Sequence, residues 1–157
     1  MVSETSDIDE LIPVFFSSSL SSDIPLEFLI VLCGAESDGK GGVCYDASPC
    51  EHPAELVEKA RKFYPGMSDS DLQRELNARA GPFMFRYSVA LALGFEGTLE
   101  AMSLPSQNTA LVCKLLKDKG IARGNDIYEV LATYHDVIGP PDMGGIFVKA
   151  RQYLKKI

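Results

Sequence analysis

Between Pro105 and Gly120 the chain reads SQNTALVCKLLKDKG, in which Leu111, Cys113, Leu115 and Leu116 form an apolar stripe between a proline suited to the first helical turn and a glycine suited to a C-terminal stop. This punctuation recurs along the chain and limits its fold more than any other feature. A helix is predicted from the region of Pro25 to Cys33, with Asp23 as its cap and Gly34 placed to end or kink it. Helical spacing also marks Ala54 to Tyr64 and Ser70 to Ala78, the latter capped by Ser68 or Ser70. Gly81 and Pro82 break the chain before FMFRYSVALALGF, whose length and Ala/Leu content favour helix. Asn125 or Asp126 caps IYEVLATYHDVI, and after GPPDMGG the segment IFVKARQYLKKI ends the sequence with cations in its last turn. The stretch SDGKGGVCYDASPCEHP reads as irregular, and no strand is clearly signalled. The expected fold class is a mainly α single domain over 24–157, preceded by a polar, Ser-rich lead over 1–23. The lead either docks on a partner through Ile12, Val14, Phe15 and Phe16 or packs across its own domain.

Composition removes several functions. With 157 residues, of which 46% are hydrophobic, one domain with a substantial core is expected. The longest apolar run, Phe28 to Cys33, falls far short of the roughly 20 residues of a membrane span, so no membrane span is expected. The acidic start MVSETSDIDE is unlike a secretory signal peptide. A net charge of −7 argues against a nucleic-acid partner, since phosphate neutralisation needs clustered Lys and Arg, and the cations Lys149, Arg151, Lys155 and Lys156 read as a solvated helix face near the C-terminus. Of the four cysteines, Cys33 and Cys113 lie in apolar helical patterns and read as buried thiols. Cys44 and Cys50 are close enough to close a small disulfide loop if the chain matures outside a reducing cytosol. With only His52 and His135 and no Cys-x-x-Cys pair, neither a metal site nor a cofactor is expected.

One residue points to chemistry. Glu36 follows the apolar run LEFLIVLCGA and precedes a Gly-rich turn. A carboxyl among apolar neighbours is poorly solvated as an anion and can serve as a proton donor, although a surface glutamate at a helix end has the same local pattern. Four stretches sharpen the choice. An apolar helix ending in Ala35-Glu36-Ser37 resembles the catalytic helix of soluble lytic transglycosylases and goose-type lysozymes. GPFMFRYSVALALGF, Gly81 to Phe95, is similar to the family's Gly-Leu-Met-Gln-Ile-Met-Pro-Ala-Thr-Ala-x-x-Leu-Gly-Phe stretch without a gap, coinciding at Gly81, Ala90, Leu93, Gly94 and Phe95. ALVCKLLKDKG followed by DIYEVLATYHD resembles the helix and the Leu-Ala-x-Tyr-Asn segment of that family, with Tyr134 at the tyrosine position. PPDMGGIFVKARQYLKKI resembles its closing helix.

The resemblance spans roughly residues 24 to 157 and implies a lysozyme-like fold and an enzyme that cuts the glycan of peptidoglycan between N-acetylmuramic acid and N-acetylglucosamine. It implies Glu36 as general acid and then base, and Ser37, Met84, Tyr134 and His135 as substrate-binding residues. Ser37 would orient Glu36 or the sugar, or make only a helix-end hydrogen bond. Tyr134 would place its hydroxyl on the acid or the sugar, or merely pack. Met84 stands where the family has Gln, and His135 stands where it has Asn, so substrate contacts differ. Asp38, Asp46 and Glu51 are candidates for a second carboxylate, although loop acids are usually solvated surface charge. Because an acidic protein gains no electrostatic help at an anionic envelope, delivery by a bacteriophage tail or baseplate protein is expected. The chain would then reside in the virion, or in host cytoplasm before assembly. The alternative is a catalytically inactive lysozyme-fold protein with a structural or glycan-binding role.

Overall fold

The computed structural model describes residues 7–45 and 51–138. Among these the chain is mainly helical. It forms α1 (Asp7–Ser22), α2 (Leu26–Ser37), α3 (Ala54–Arg61), α4 (Asp69–Leu76), α5 (Tyr87–Ala92), α6 (Leu99–Met102), α7 (Pro105–Asp118) and α8 (Ile127–Ile138). Three two-residue strands, β1 (Val43–Cys44), β2 (Arg79–Ala80) and β3 (Phe85–Arg86), are interspersed. The closing segment from 139 onward, with its expected helix and basic end, lies outside the described residues, as does Cys50.

α2 is deeply buried because it is apolar nearly all round: Phe28, Leu29, Val31, Leu32, Cys33, Gly34 and Ala35 are all buried. Its N-terminus is set by Pro25, not by an Asp23 cap. Asp23 instead adopts a left-handed conformation, φ 62°, just after α1, where its N–H donates to the Ser19 carbonyl at 2.9 Å. Gly34 does not end α2. The helix runs on to Ser37 because tertiary burial outweighs the propensity cost of a mid-helix glycine, and Asp38 (φ 57°) closes it by donating to the Gly34 carbonyl.

The lead segment is helical from Asp7, despite Pro13 and its serines. Ile8, Leu11, Phe15 and Ser19 fall on one helical face and are buried, and α1 packs on α7 and α2 as part of the common core. Phe15 meets Phe83 with ring centroids 5.3 Å apart. The opposite face leaves Phe16 and Leu20 53% and 71% exposed.

Ser68 is the cap of α4, its hydroxyl accepting from Asp71 N–H at 3.2 Å. At α8, Asp126 accepts from Tyr128 N–H at 2.6 Å. The stretch read as helix from Phe83 onward divides: Phe85–Arg86 is strand and only Tyr87–Ala92 is helix. The sheet has the order β1-β2-β3, antiparallel throughout, with Val43 opposite Ala80 and Ala80 opposite Phe85. Strands of two residues are too short for any period-2 pattern to appear in sequence. Cys44 lies on β1 beside the Arg79 guanidinium, and the disulfide reading, which pairs it with Cys50, lies outside the described residues.

Candidate functional site

β2 and β3 are joined by the turn 81–84, which is built by two residues of positive φ, Gly81 (84°) and Met84 (48°), and closed by Met84 N–H donating to the Gly81 carbonyl at 2.9 Å. Gly81 is obligatory on two counts. Its φ favours glycine, and a Cβ there would lie 2.4 Å from the Asn108 side chain. Asn108, fully buried on α7, accepts from Phe83 N–H at 2.9 Å and donates to the Ala80 and Met102 carbonyls at 3.0 and 3.1 Å. This one side chain fixes the turn to α6 and α7.

The residues singled out in the sequence converge on that turn from two helices. The last turn of α2 brings Ser37, whose hydroxyl donates to the Pro82 carbonyl at 2.6 Å and accepts from Gly39 N–H at 3.1 Å. α8 brings Tyr134, fully buried, whose hydroxyl donates to the Phe83 carbonyl at 2.5 Å. Burial pushes the Tyr134 phenol well above its ordinary range, with Glu36 and Cys33 adding to the effect and the Arg79 and Arg86 cations opposing it. Tyr134 and Ser37 therefore hold the backbone of the turn, and of the roles weighed for them the structure displays this one. Both satisfy carbonyls that a tight turn leaves unpaired. Met84 is half-buried at the tip of the turn.

Glu36 and His135 meet behind this turn. His135 Nε2 lies 2.5 Å from Glu36 Oε1, and the two side chains are 2% and 3% exposed. This replaces the expectation of a substrate-facing His135: the imidazole points inward because α8 presents that face to α2. Nearby Cys33, also buried, has its thiol pushed up to about 12, mainly by desolvation. Tyr134 packs edge-on against the His135 ring at 5.7 Å and lies tilted against Phe85 at 6.2 Å. Burying a carboxyl beside an imidazole offsets part of the cost that either polar group would carry if buried alone.

Of the candidate second carboxylates, Asp38 and Glu51 are exposed, and Asp46 lies outside the described residues. A buried carboxylate that sequence reasoning missed is Glu75 on α4. It accepts from the Tyr45 hydroxyl at 2.8 Å, and Arg74 lies over the Tyr45 ring at 4.2 Å. Its position between Leu72 and Leu76 on an amphipathic helix was the available signal. Also missed were Asn108 and Arg86. The latter donates to the Ile138 carbonyl and the Asn77 carbonyl, each at 2.7 Å, joining the end of α8 to β3. No group of three or more metal-ligating side chains occurs among the described residues. Two surface cavities lie elsewhere, one lined by Glu58, Arg61 and Met67 and another by Phe63, Leu91 and Phe95, and Glu36 lines neither. No helix among the described residues is long and apolar enough to cross a membrane. No family model, curated protein or solved structure matches the chain.

Proposed function

We propose that the chain is a lysozyme-like, peptidoglycan-cleaving enzyme with Glu36 as its general acid and base. The observation that supports this reading is the meeting of three distant segments, the end of α2 with Glu36 and Ser37, the turn 81–84, and α8 with Tyr134 and His135. Each belongs to one of the four stretches that carry the family resemblance, the fourth lying outside the described residues. In the proposed mechanism Glu36 protonates the glycosidic oxygen as an oxocarbenium-like transition state develops. The same carboxylate then takes the proton from the muramyl 6-hydroxyl, which closes a 1,6-anhydro ring, or water attacks in its place. Ser37 and Tyr134 contribute by holding the turn through the Pro82 and Phe83 carbonyls. Delivery to the wall as part of a phage tail or baseplate accounts for the acidic balance.

A second reading, an inactive lysozyme-fold protein that binds glycan or serves a structural role, is favoured by one observation: the Glu36 side chain is buried against His135. Digestion of purified peptidoglycan by the wild type and by Glu36→Gln, with mass spectrometry of released muropeptides, separates the readings. Products lighter by one water and formed only by the wild type mean a lytic transglycosylase, whereas hydrated reducing ends mean a lysozyme. No product from either protein, beside an active control enzyme, selects the second reading.

A further inference from the structure

Glu36 can protonate a glycosidic oxygen only if the two come within hydrogen-bond reach. In the described structure its side chain is 3% exposed, with His135 Nε2 at 2.5 Å. The geometry points to His135 as a latch: its imidazole closes over Glu36 at rest and leaves when a glycan strand occupies the site. This inference rests on the reading of Glu36 as the acid.

The surroundings show which part moves. The backbone of α8 is anchored on both sides of His135, by the Tyr134 hydroxyl on the Phe83 carbonyl and by Arg86 Nε on the Ile138 carbonyl. Rotation of the whole helix would break both bonds. The imidazole is tethered differently. Its Nδ1 is buried without a hydrogen-bond partner among the described residues, and the close approach of Nε2 to Oε1 is not aligned as a hydrogen bond. Apart from Glu36, no polar group among the described residues holds the ring. A change of side-chain rotamer therefore releases the acid while the helix stays in place, and it lets Nδ1 find a partner in water. His135 is accordingly a positioning residue that sets how often Glu36 is available.

Two measurements test the latch. In steady-state digestion of solubilised peptidoglycan, His135→Asn, too short to cover Glu36, lowers KM about tenfold with kcat retained, as for an open state populated at roughly a tenth. His135→Gln, checked for native circular dichroism, serves as the second variant. Independently, diethyl pyrocarbonate labelling is read by peptide mass spectrometry, and with two histidines in the chain His52 is the internal reference. His135 reacts more slowly than His52 in the wild type and severalfold faster when sonicated peptidoglycan fragments are added or Glu36 is replaced in Glu36→Ala. An unchanged or raised KM in both folded variants, with wild-type cleavage intact, overturns the latch and leaves the catalytic reading standing. Equally, His135 labelling that ignores both fragments and Glu36→Ala overturns the latch. Absence of cleavage by wild type and variants alike overturns the catalytic reading, and the latch falls with it.

Discussion

Asn108→Ala is expected to be among the most damaging single substitutions on α7. The side chain makes three hydrogen bonds to the backbone of the turn and its surroundings, at 2.9, 3.0 and 3.1 Å, and is fully buried. At about 1 kcal/mol net for each bond, the loss is about 3 kcal/mol, and backbone groups left without partners in a dry site raise it further. For a chain of this size that corresponds to a fall in Tm of about 6 to 12 °C. Urea denaturation followed by circular dichroism measures it, with a lower midpoint and an unchanged slope. Asn108→Asp distinguishes hydrogen bonding from simple cavity formation. The aspartate keeps volume and still accepts from Phe83 N–H, but it turns a charged oxygen toward the Ala80 and Met102 carbonyls that formerly received donors. It should therefore destabilise at least as much as alanine. A loss under about 1 kcal/mol for Asn108→Ala, or a near-neutral Asn108→Asp, would refute the view that this residue pins the turn by hydrogen bonds.

Two further outcomes are expected from the same chain. Phe15→Ala should cost about 3 to 5 kcal/mol, since its ring is fully buried against Phe83, whereas the neighbouring Phe16→Ala on the exposed face should cost about 0.5 kcal/mol or less. Equal effects in urea melts would mean that α1 does not belong to the core. Burial raises the Cys33 thiol from 9.0 to about 12, so the native state keeps a proton that the unfolded chain releases. This contribution is fully present below pH 9 and is lost as pH rises from there toward about 12. Urea midpoints measured across that window should fall less steeply in Cys33→Ala than in the wild type. The fall does not vanish, because Tyr64, Tyr87 and Tyr134 are also shifted upward and add their own losses above pH 10.

Local sequence determined the elements whose signals lie within one or two helical turns. The stripe from Leu111 to Leu116 between Pro105 and Gly120 was legible as α7, and Ser68 and Asp126 were legible as caps, because these depend on spacing and on side chains bonding to nearby backbone. Glu36 at the end of an apolar helix was equally plain. What escaped had long-range causes. α1 forms through Pro13 and a serine run because Ile8, Leu11 and Phe15 bury against α7 and α2, which a propensity reading does not weigh. The sheet consists of two-residue strands whose pairing is fixed by the turn 81–84 and by Asn108, 25 or more residues from the backbone it holds in that turn. The roles within the candidate site were decided the same way. Nothing adjacent to Tyr134 in sequence says that its hydroxyl will reach the Phe83 carbonyl, and nothing near His135 says that its ring will cover Glu36. Residue types and helix ends belong to the local chain. Which polar group meets which belongs to packing, since a buried donor takes whichever acceptor the assembled core leaves within reach.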